Sequence, residues 1–229
     1  MTDDMKKSDT LVAEMVHEVK NPLTTVKGLL QLLKPYLVMI EKERYADIAI
    51  SEINRANELL NAYLNSNTSI SPKRKLVCVN TVLEEMKLLF EREANVNRIQ
   101  FHAELDPNFP KVNVCRNEFK QVLVNLVKNA VEALVEVKDN RMRVITLKTK
   151  MQGQRIHVIV EDNGSGMDQS TITQLFTPFY TEKSFGTGLG LPICKKIIEK
   201  HDGIISVKSQ KSMGTTIQIA LPSSPIDVD

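Results

Sequence analysis

Tryptophan is absent from the 229 residues, aromatic side chains account for 5% of them, and cysteine occurs three times. Cys78, Cys115 and Cys194 are odd in number and widely spaced without a CxxC pair, so neither a disulfide framework nor a cysteine zinc site is expected, and a reducing compartment fits. No apolar run approaches the roughly 20 residues needed to span a bilayer. The start is polar and has no signal-peptide core, so this segment is expected to make no membrane contact and to be cytoplasmic, with any tether of a longer protein lying in a sensor region upstream. The net charge is +2 and no arginine-rich run or aromatic-interleaved basic stripe exists, which argues against nucleic acid as a partner. Internal repeats and low-complexity tracts are missing as well.

What is present begins with His17-Glu18-Val19-Lys20-Asn21-Pro22-Leu23. On a helix, His17 and Asn21 share a face and Glu18 lies beside the imidazole. A neutral imidazole is a competent nucleophile, and an adjacent carboxylate can fix its tautomer and accept its proton. Taken alone, a His-Glu pair on a helix is usually a solvated face. Here it flanks a seam of Val12, Val16, Val19, Leu23, Val26, Leu30 and Leu33, spaced by threes and fours. Pro22 predicts a bend just after the histidine. After a loop near Pro35 to Glu43, a second helix carries Ala46, Ile50, Ile53, Leu60 and Leu64 on one side and Tyr45, Ala49, Ala56, Leu59 and Tyr63 on the other. Such a stripe is too wide for one partner helix, so two hairpins are expected to combine into a homodimeric four-helix bundle.

From Asn65 to Lys75 the composition turns to Asn, Ser, Thr, Pro and Lys, which marks a linker. Beyond it the pattern predicts a helix over Thr81–Glu93 capped by Asn80, a strand over Ile99–Leu105, and a long helix over Glu118–Val135. Strands follow over Val144–Lys150 and Ile156–Val160, then a helix over Leu189–His201 and strands over Ile204–Ser209 and Thr216–Leu221. Elements in this order predict an α/β sandwich with helices on one face of a sheet, so the whole chain is α+β.

Four segments of the second module carry chemistry. Asn125 and Asn129 emerge on one face of the long helix, where an amide oxygen suits Mg2+ and Lys128 adds charge for phosphates. Asp162-Asn163-Gly164-Ser165-Gly166 follows a strand; Gly164 and Gly166 allow close ligand approach, and Asp162 can accept a hydrogen bond from an exocyclic amine such as that of adenine. Gly186-Thr187-Gly188-Leu189-Gly190 opens a helix and offers free amides to an anion, without matching the dinucleotide or Walker patterns. Between them, Phe176-Thr177-Pro178-Phe179-Tyr180-Thr181-Glu182-Lys183 reads as a lid whose Lys183 reaches phosphates, with Phe176 and Phe179 expected to pack into the core.

In this order, the segments resemble the catalytic core of sensor histidine kinases of two-component systems. The His17 stretch looks like the H box, Asn125–Asn129 the N box, Asp162–Gly166 and Gly186–Gly190 the two glycine boxes, and Phe176–Phe179 the F box. The lid and the H box are most similar to sporulation-type kinases. The resemblance implies a dimerisation and phosphotransfer hairpin over 1–68, a linker over 69–75, and an ATP-binding domain of the histidine kinase, topoisomerase and chaperone type over 76–229. It implies that His17 is autophosphorylated, that Glu18 accepts its proton, and that Asn21 orients water when a regulator is dephosphorylated. Asn129 would hold Mg2+, Asn125 and Lys128 would support the phosphates of ATP, and Asp162 would read adenine. Ser212-Met213-Gly214-Thr215 departs from a pattern that commonly carries two glycines, leaving Gly214 and Thr215 as supports of the adenine pocket. The implied partners are a second copy of the chain, the receiver domain of a response regulator and a protein inhibitor of the bundle.

Two rivals are weaker. An ATP-hydrolysing machine of the same nucleotide fold places a glutamate base one turn before the metal-binding asparagine, where this chain has Asn125. A non-catalytic dimeric scaffold would have no need of His17, Asn129, Asp162, Lys183 and the glycine loops together.

Overall fold

A computed structural model describes residues 2–67, 73–108, 110–183 and 186–224, with side chains for these except 2–17, 55, 58, 59 and 61–67. Two compact units form, one of Met1–Ser71 with Pro178–Leu189 and one of Pro72–Thr177 with Gly190–Asp229.

The first unit contains helices α1 (Thr2–Met39) and α2 (Glu43–Asn67). Helix α1 continues through both Pro22 and Pro35, although each proline withdraws one N–H from the ladder. Pro35 is therefore helical, and the connection is confined to residues 40–42, closed by Lys42 N–H donating to the Leu37 carbonyl at 2.8 Å. Around Pro22 the hydroxyls of Thr24 and Thr25 donate to the carbonyls of Lys20 and Asn21 at 2.9 and 3.1 Å. The helices pair through Lys27 Nζ on Asn54 Oδ1 at 2.8 Å and Lys34 on Asp47 at 2.5 Å, with Ala46 and Ile53 buried. Val26, Leu29, Leu32, Leu33, Tyr36 and Tyr45 stay exposed.

In the second unit the elements are β1 (Lys75–Cys78), α3 (Val79–Val96), β2 (Ile99–Glu104), β3 (Lys111–Val114), α4 (Arg116–Val135), β4 (Arg143–Gln152), β5 (Arg155–Asp162), α5 (Gln169–Gln174), α6 (Gly190–Lys200), β6 (Ile204–Gln210) and β7 (Gly214–Pro222). Five strands form one sheet in the order β2-β4-β5-β7-β6, with β2 parallel to β4 and the other pairs antiparallel. β1 and β3 form a separate antiparallel pair. Period-two alternation sends Ile145, Leu147, Ile156, Val158, Val160, Ile217 and Ile219 to one face, where they share a core with Met86, Leu123, Leu126 and Ile198 of the helices. The opposite face is polar: Lys148 bridges Glu104 and Glu161 at 3.3 and 3.2 Å, and Gln218 Nε2 lies 2.6 Å from His157 Nδ1. The expected sandwich is thus present.

The expected start of α3 also differs. Asn80 is not a cap; Cys78 occupies that position and makes no side-chain cap bond. Asn80 sits buried in the first turn of α3, donating to the Asp106 carbonyl and accepting from Thr149 Oγ1, both at 2.8 Å. Its amide is consumed in joining α3 to the sheet.

Candidate functional site

Helix α4 buries Phe119, Leu123, Leu126, Ala130 and Leu134, which leaves Asn125, Lys128 and Asn129 off the core face. Lys128 is exposed, with Nζ 3.8 Å from Glu132. Asn125 is half-buried; its Nδ2 donates to the Gly190 carbonyl at 3.4 Å and approaches Cys194 Sγ at 3.6 Å. Burial pushes the Cys194 thiol up to about 12, against the lowering effect of Asn125. A second tie joins the far end of α6 to the start of α4, where Lys200 donates to Glu118 at 2.8 Å. Helix α6 begins Gly190-Leu191-Pro192, so Pro192 sits in the first turn, where its missing N–H costs nothing, and the remaining amides of that turn are available to an anion.

At the end of β5, Asp162 is buried and its Oδ1 accepts the Gly164 N–H at 2.8 Å. A Cβ on Gly164 would stand 2.8 Å from that oxygen and 2.9 Å from Ala133, so the loop packs directly on α4. Ser165 N–H donates to the Ala133 carbonyl at 3.2 Å. Asn129 lies one turn before Ala133 on the same helical face. Thr215 of β7 pairs in register with Asp162. Its Oγ1 is 2.9 Å from Ser209 Oγ, which itself donates to the Gly214 carbonyl at 2.9 Å, so the Thr215 hydroxyl is the donor between the two. Gly166 (φ +61) and Gly214 (φ +115) hold the glycine loop against the β6–β7 turn: a Cβ on either would fall 2.0 Å from a carbonyl oxygen, of Gln210 and Asp162 respectively.

The second unit therefore brings together Asp162, Gly164, Gly166, Gly214 and Thr215, with Asn129 one turn along α4. Lys183, Gly186, Thr187, Gly188 and Leu189 lie in the 178–189 segment of the other unit. Within that segment Phe179 N–H donates to the Gly188 carbonyl at 3.0 Å, Gly186 N–H to Lys183 at 3.2 Å and Leu189 N–H to Thr187 Oγ1 at 3.4 Å. Phe179 is 65% exposed at φ +67 and is not a core residue, because its backbone is committed to this turn. Phe176 is half-buried, with Lys195 Nζ 5.7 Å from its ring centroid. His17 lies on α1 with its side chain outside the described residues, while Glu18 and Asn21 are exposed.

Sequence reasoning passed over Asp168, Ser209 and Arg141. Asp168 caps α5 and is lowered to about 2 by hydrogen bonds from Ser170 and from the backbone and hydroxyl of Thr171; the Asp-x-x-Thr spacing could have found it. Ser209 and Arg141 acquire meaning only from distant carbonyls. Among the described residues no cluster of three or more His, Cys, Asp or Glu could hold a metal ion, and no helix is long and apolar enough to cross a membrane. A single amide oxygen such as that of Asn129 fits Mg2+, which keeps most of its ligands from water and phosphate.

Two family models match the chain: the His Kinase A phospho-acceptor domain over residues 7–69 and the histidine kinase-, DNA gyrase B- and HSP90-like ATPase over residues 116–225. Sporulation kinase C of Bacillus subtilis (strain 168) is 34% identical over 217 residues, covering 93% of this chain and 48% of the relative. The chain thus spans about half the length of that curated relative. The catalytic domain of histidine kinase ThkA superposes with a TM-score of 0.59 at 32% identity, covering 66% of this chain and 95% of that domain. ThkA crystallised in complex with the response regulator TrrA gives a TM-score of 0.66 at 27% identity, over 94% of this chain and 62% of that one.

Proposed function

Because the chain belongs to the sensor histidine kinases and resembles their sporulation-type members, we propose that it autophosphorylates His17 from ATP and passes the phosphoryl group to an aspartate of a response regulator. The observation that supports the reading is the buried Asp162, paired with Thr215 and locked by Gly164 and Gly214, a fixed carboxylate of the kind that accepts a hydrogen bond from an exocyclic amine such as that of adenine. Asn125 and Lys128 support the phosphates, as do the amides that open α6. To the phosphates of ATP the family resemblance also assigns Lys183, Gly186, Thr187, Gly188 and Leu189.

In the reaction the imidazole nitrogen of His17 attacks the terminal phosphorus of ATP, a P–N bond forms as the bond to ADP oxygen breaks, and Glu18 takes the imidazole proton. Mg2+, held by Asn129, would supply charge neutralisation at the phosphates. The regulator's aspartate then attacks the phosphohistidine phosphorus and displaces the imidazole; in a separate phosphatase reaction Asn21 orients a water that attacks the aspartyl phosphate, releasing free aspartate and inorganic phosphate. Apolar Val26, Leu33 and Tyr36, exposed on the hairpin, support a homodimer joined through these helices. Asn125 in place of a glutamate base favours transfer to a side chain over hydrolysis.

The test is incubation with labelled ATP and Mg2+. Acid-labile, alkali-stable label is expected on the wild type and none on His17→Gln. Unlabelled wild-type protein would instead support a scaffold.

A further inference from the structure

Arg141 stands in the loop between α4 and β4 and makes more polar contacts than its half-exposed setting requires. Its Nε lies 2.9 Å from both Asp139 oxygens and Nη2 lies 2.8 Å from Oδ2, a bidentate grip that the Asp139 end strengthens by accepting the Arg141 backbone N–H at 3.1 Å. These hydrogen bonds hold the Asp139 carboxyl below its ordinary range. With the fork so anchored, Nη1 donates to two carbonyls from different elements, Ser212 at 2.8 Å in the β6–β7 turn and Asn163 at 3.2 Å in the glycine loop.

Both carbonyls belong to segments that flank Asp162 and Thr215. Asn163 directly follows Asp162, and its side chain fastens the loop to the start of β4, Oδ1 accepting from Val144 N–H at 2.8 Å and Nδ2 donating to Met142 at 2.7 Å. Ser212 sits at φ +64 in the turn that leads into Gly214 and Thr215, and its N–H donates to the Ser165 carbonyl at 2.6 Å. Along the chain the glycine loop and the β6–β7 turn are separated by residues 167–210; the β5–β7 ladder joins them at Asp162 and Thr215, and beyond it the Ser212 N–H on Ser165 and the Arg141 fork fix how the turn lies on the loop. Lysine could not replace the arginine here, since a single ammonium cannot grip Asp139 on two edges while serving both carbonyls.

We propose that Arg141, anchored by Asp139, is a positioning residue for nucleotide binding that sets the spacing between the Asp162 loop and the β6–β7 turn. It touches no reacting atom, and the assignment rests on the nucleotide reading above. Its removal widens the adenine end of the pocket and leaves the phosphate end unchanged. Two carbonyl hydrogen bonds are at stake, which corresponds to a change of about tenfold in affinity.

The experiment measures ADP binding by calorimetry and the ATP dependence of autophosphorylation on the whole chain, for wild type, Arg141→Ala, Arg141→Lys and Asp139→Asn. In Arg141→Ala the ADP Kd and the ATP KM are expected to rise about tenfold while the saturating rate stays within about twofold, a split that general destabilisation would not give. Arg141→Lys should recover only part of the loss, and Asp139→Asn, which keeps the guanidinium but loosens its anchor, should show the same change at smaller size. A Kd and KM in Arg141→Ala within about twofold of wild type, or a loss confined to the saturating rate, would overturn the role. Wild-type protein that binds no ADP would remove the nucleotide reading, and the positioning role with it.

Discussion

Asn125 on α4 and Gly190 at the first residue of α6 are joined by an Nδ2–H bond to the carbonyl at 3.4 Å, with the Cys194 sulfur as a second, softer acceptor at 3.6 Å. The donor is what matters. Asn125→Asp replaces it with a carboxylate facing a carbonyl oxygen and a buried sulfur, so the second unit should lose about 1–3 kcal/mol of stability. Urea unfolding followed by circular dichroism checks this; a midpoint equal to wild type would show that the amide does not hold the two helices.

Two glycines with positive φ should behave differently on substitution. Gly153, at φ +61 in the β4–β5 hairpin, has open space within 4 Å of where a Cβ would stand, so Gly153→Ala meets only the backbone penalty of about 1–2 kcal/mol. Gly214, at φ +115, would drive its Cβ to 2.0 Å from the Asp162 carbonyl oxygen. Gly214→Ala should therefore cost well over about 3 kcal/mol and abolish ADP binding, as strain and collision add. Thermal unfolding and calorimetry of both variants test the ordering, and equal losses would contradict it.

His157 gives the sheet a dependence on pH. Burial, then the charges of Lys150 and Arg155, push its pKa below the usual 6.5, and its Nδ1 lies 2.6 Å from the Gln218 amide. The folded state thus binds the proton less readily than the unfolded chain. Its stabilising contribution is complete above the unfolded value and declines as pH falls through that value toward the lower folded one. Urea midpoints measured from about pH 8 to about pH 5 should fall more steeply for wild type than for His157→Asn. Parallel profiles would refute the assignment.

The elements with long periodic patterns were legible in the chain itself. The α4 helix, the β4–β5 and β6–β7 hairpins and α6 follow from spacing of apolar residues, because each buries one whole face in a common core. β1 and β3 were not, since each has four residues and their pairing, Lys75 with Val114, spans a separation that no local pattern encodes. Asn80 looked like a cap because asparagine favours that position, but Asp106 and Thr149 compete for the same amide and win it. Likewise Pro35 was read as part of the loop, yet α1 runs on through it to Met39. At the site, Asn125, Asn129, Asp162 and the glycines stood out by residue type and interval. Arg141 did not, as an arginine in a polar loop is ordinary until two remote carbonyls arrive at its fork.

The ties of Asn125 to Gly190 and of Glu118 to Lys200 fasten α6 to α4 near each of its ends. A rod pegged twice can neither slide along its neighbour nor pivot about one peg. The N–H groups that open α6 are therefore kept at a fixed place along α4, an edge whose position is set by its neighbour and not by its own length.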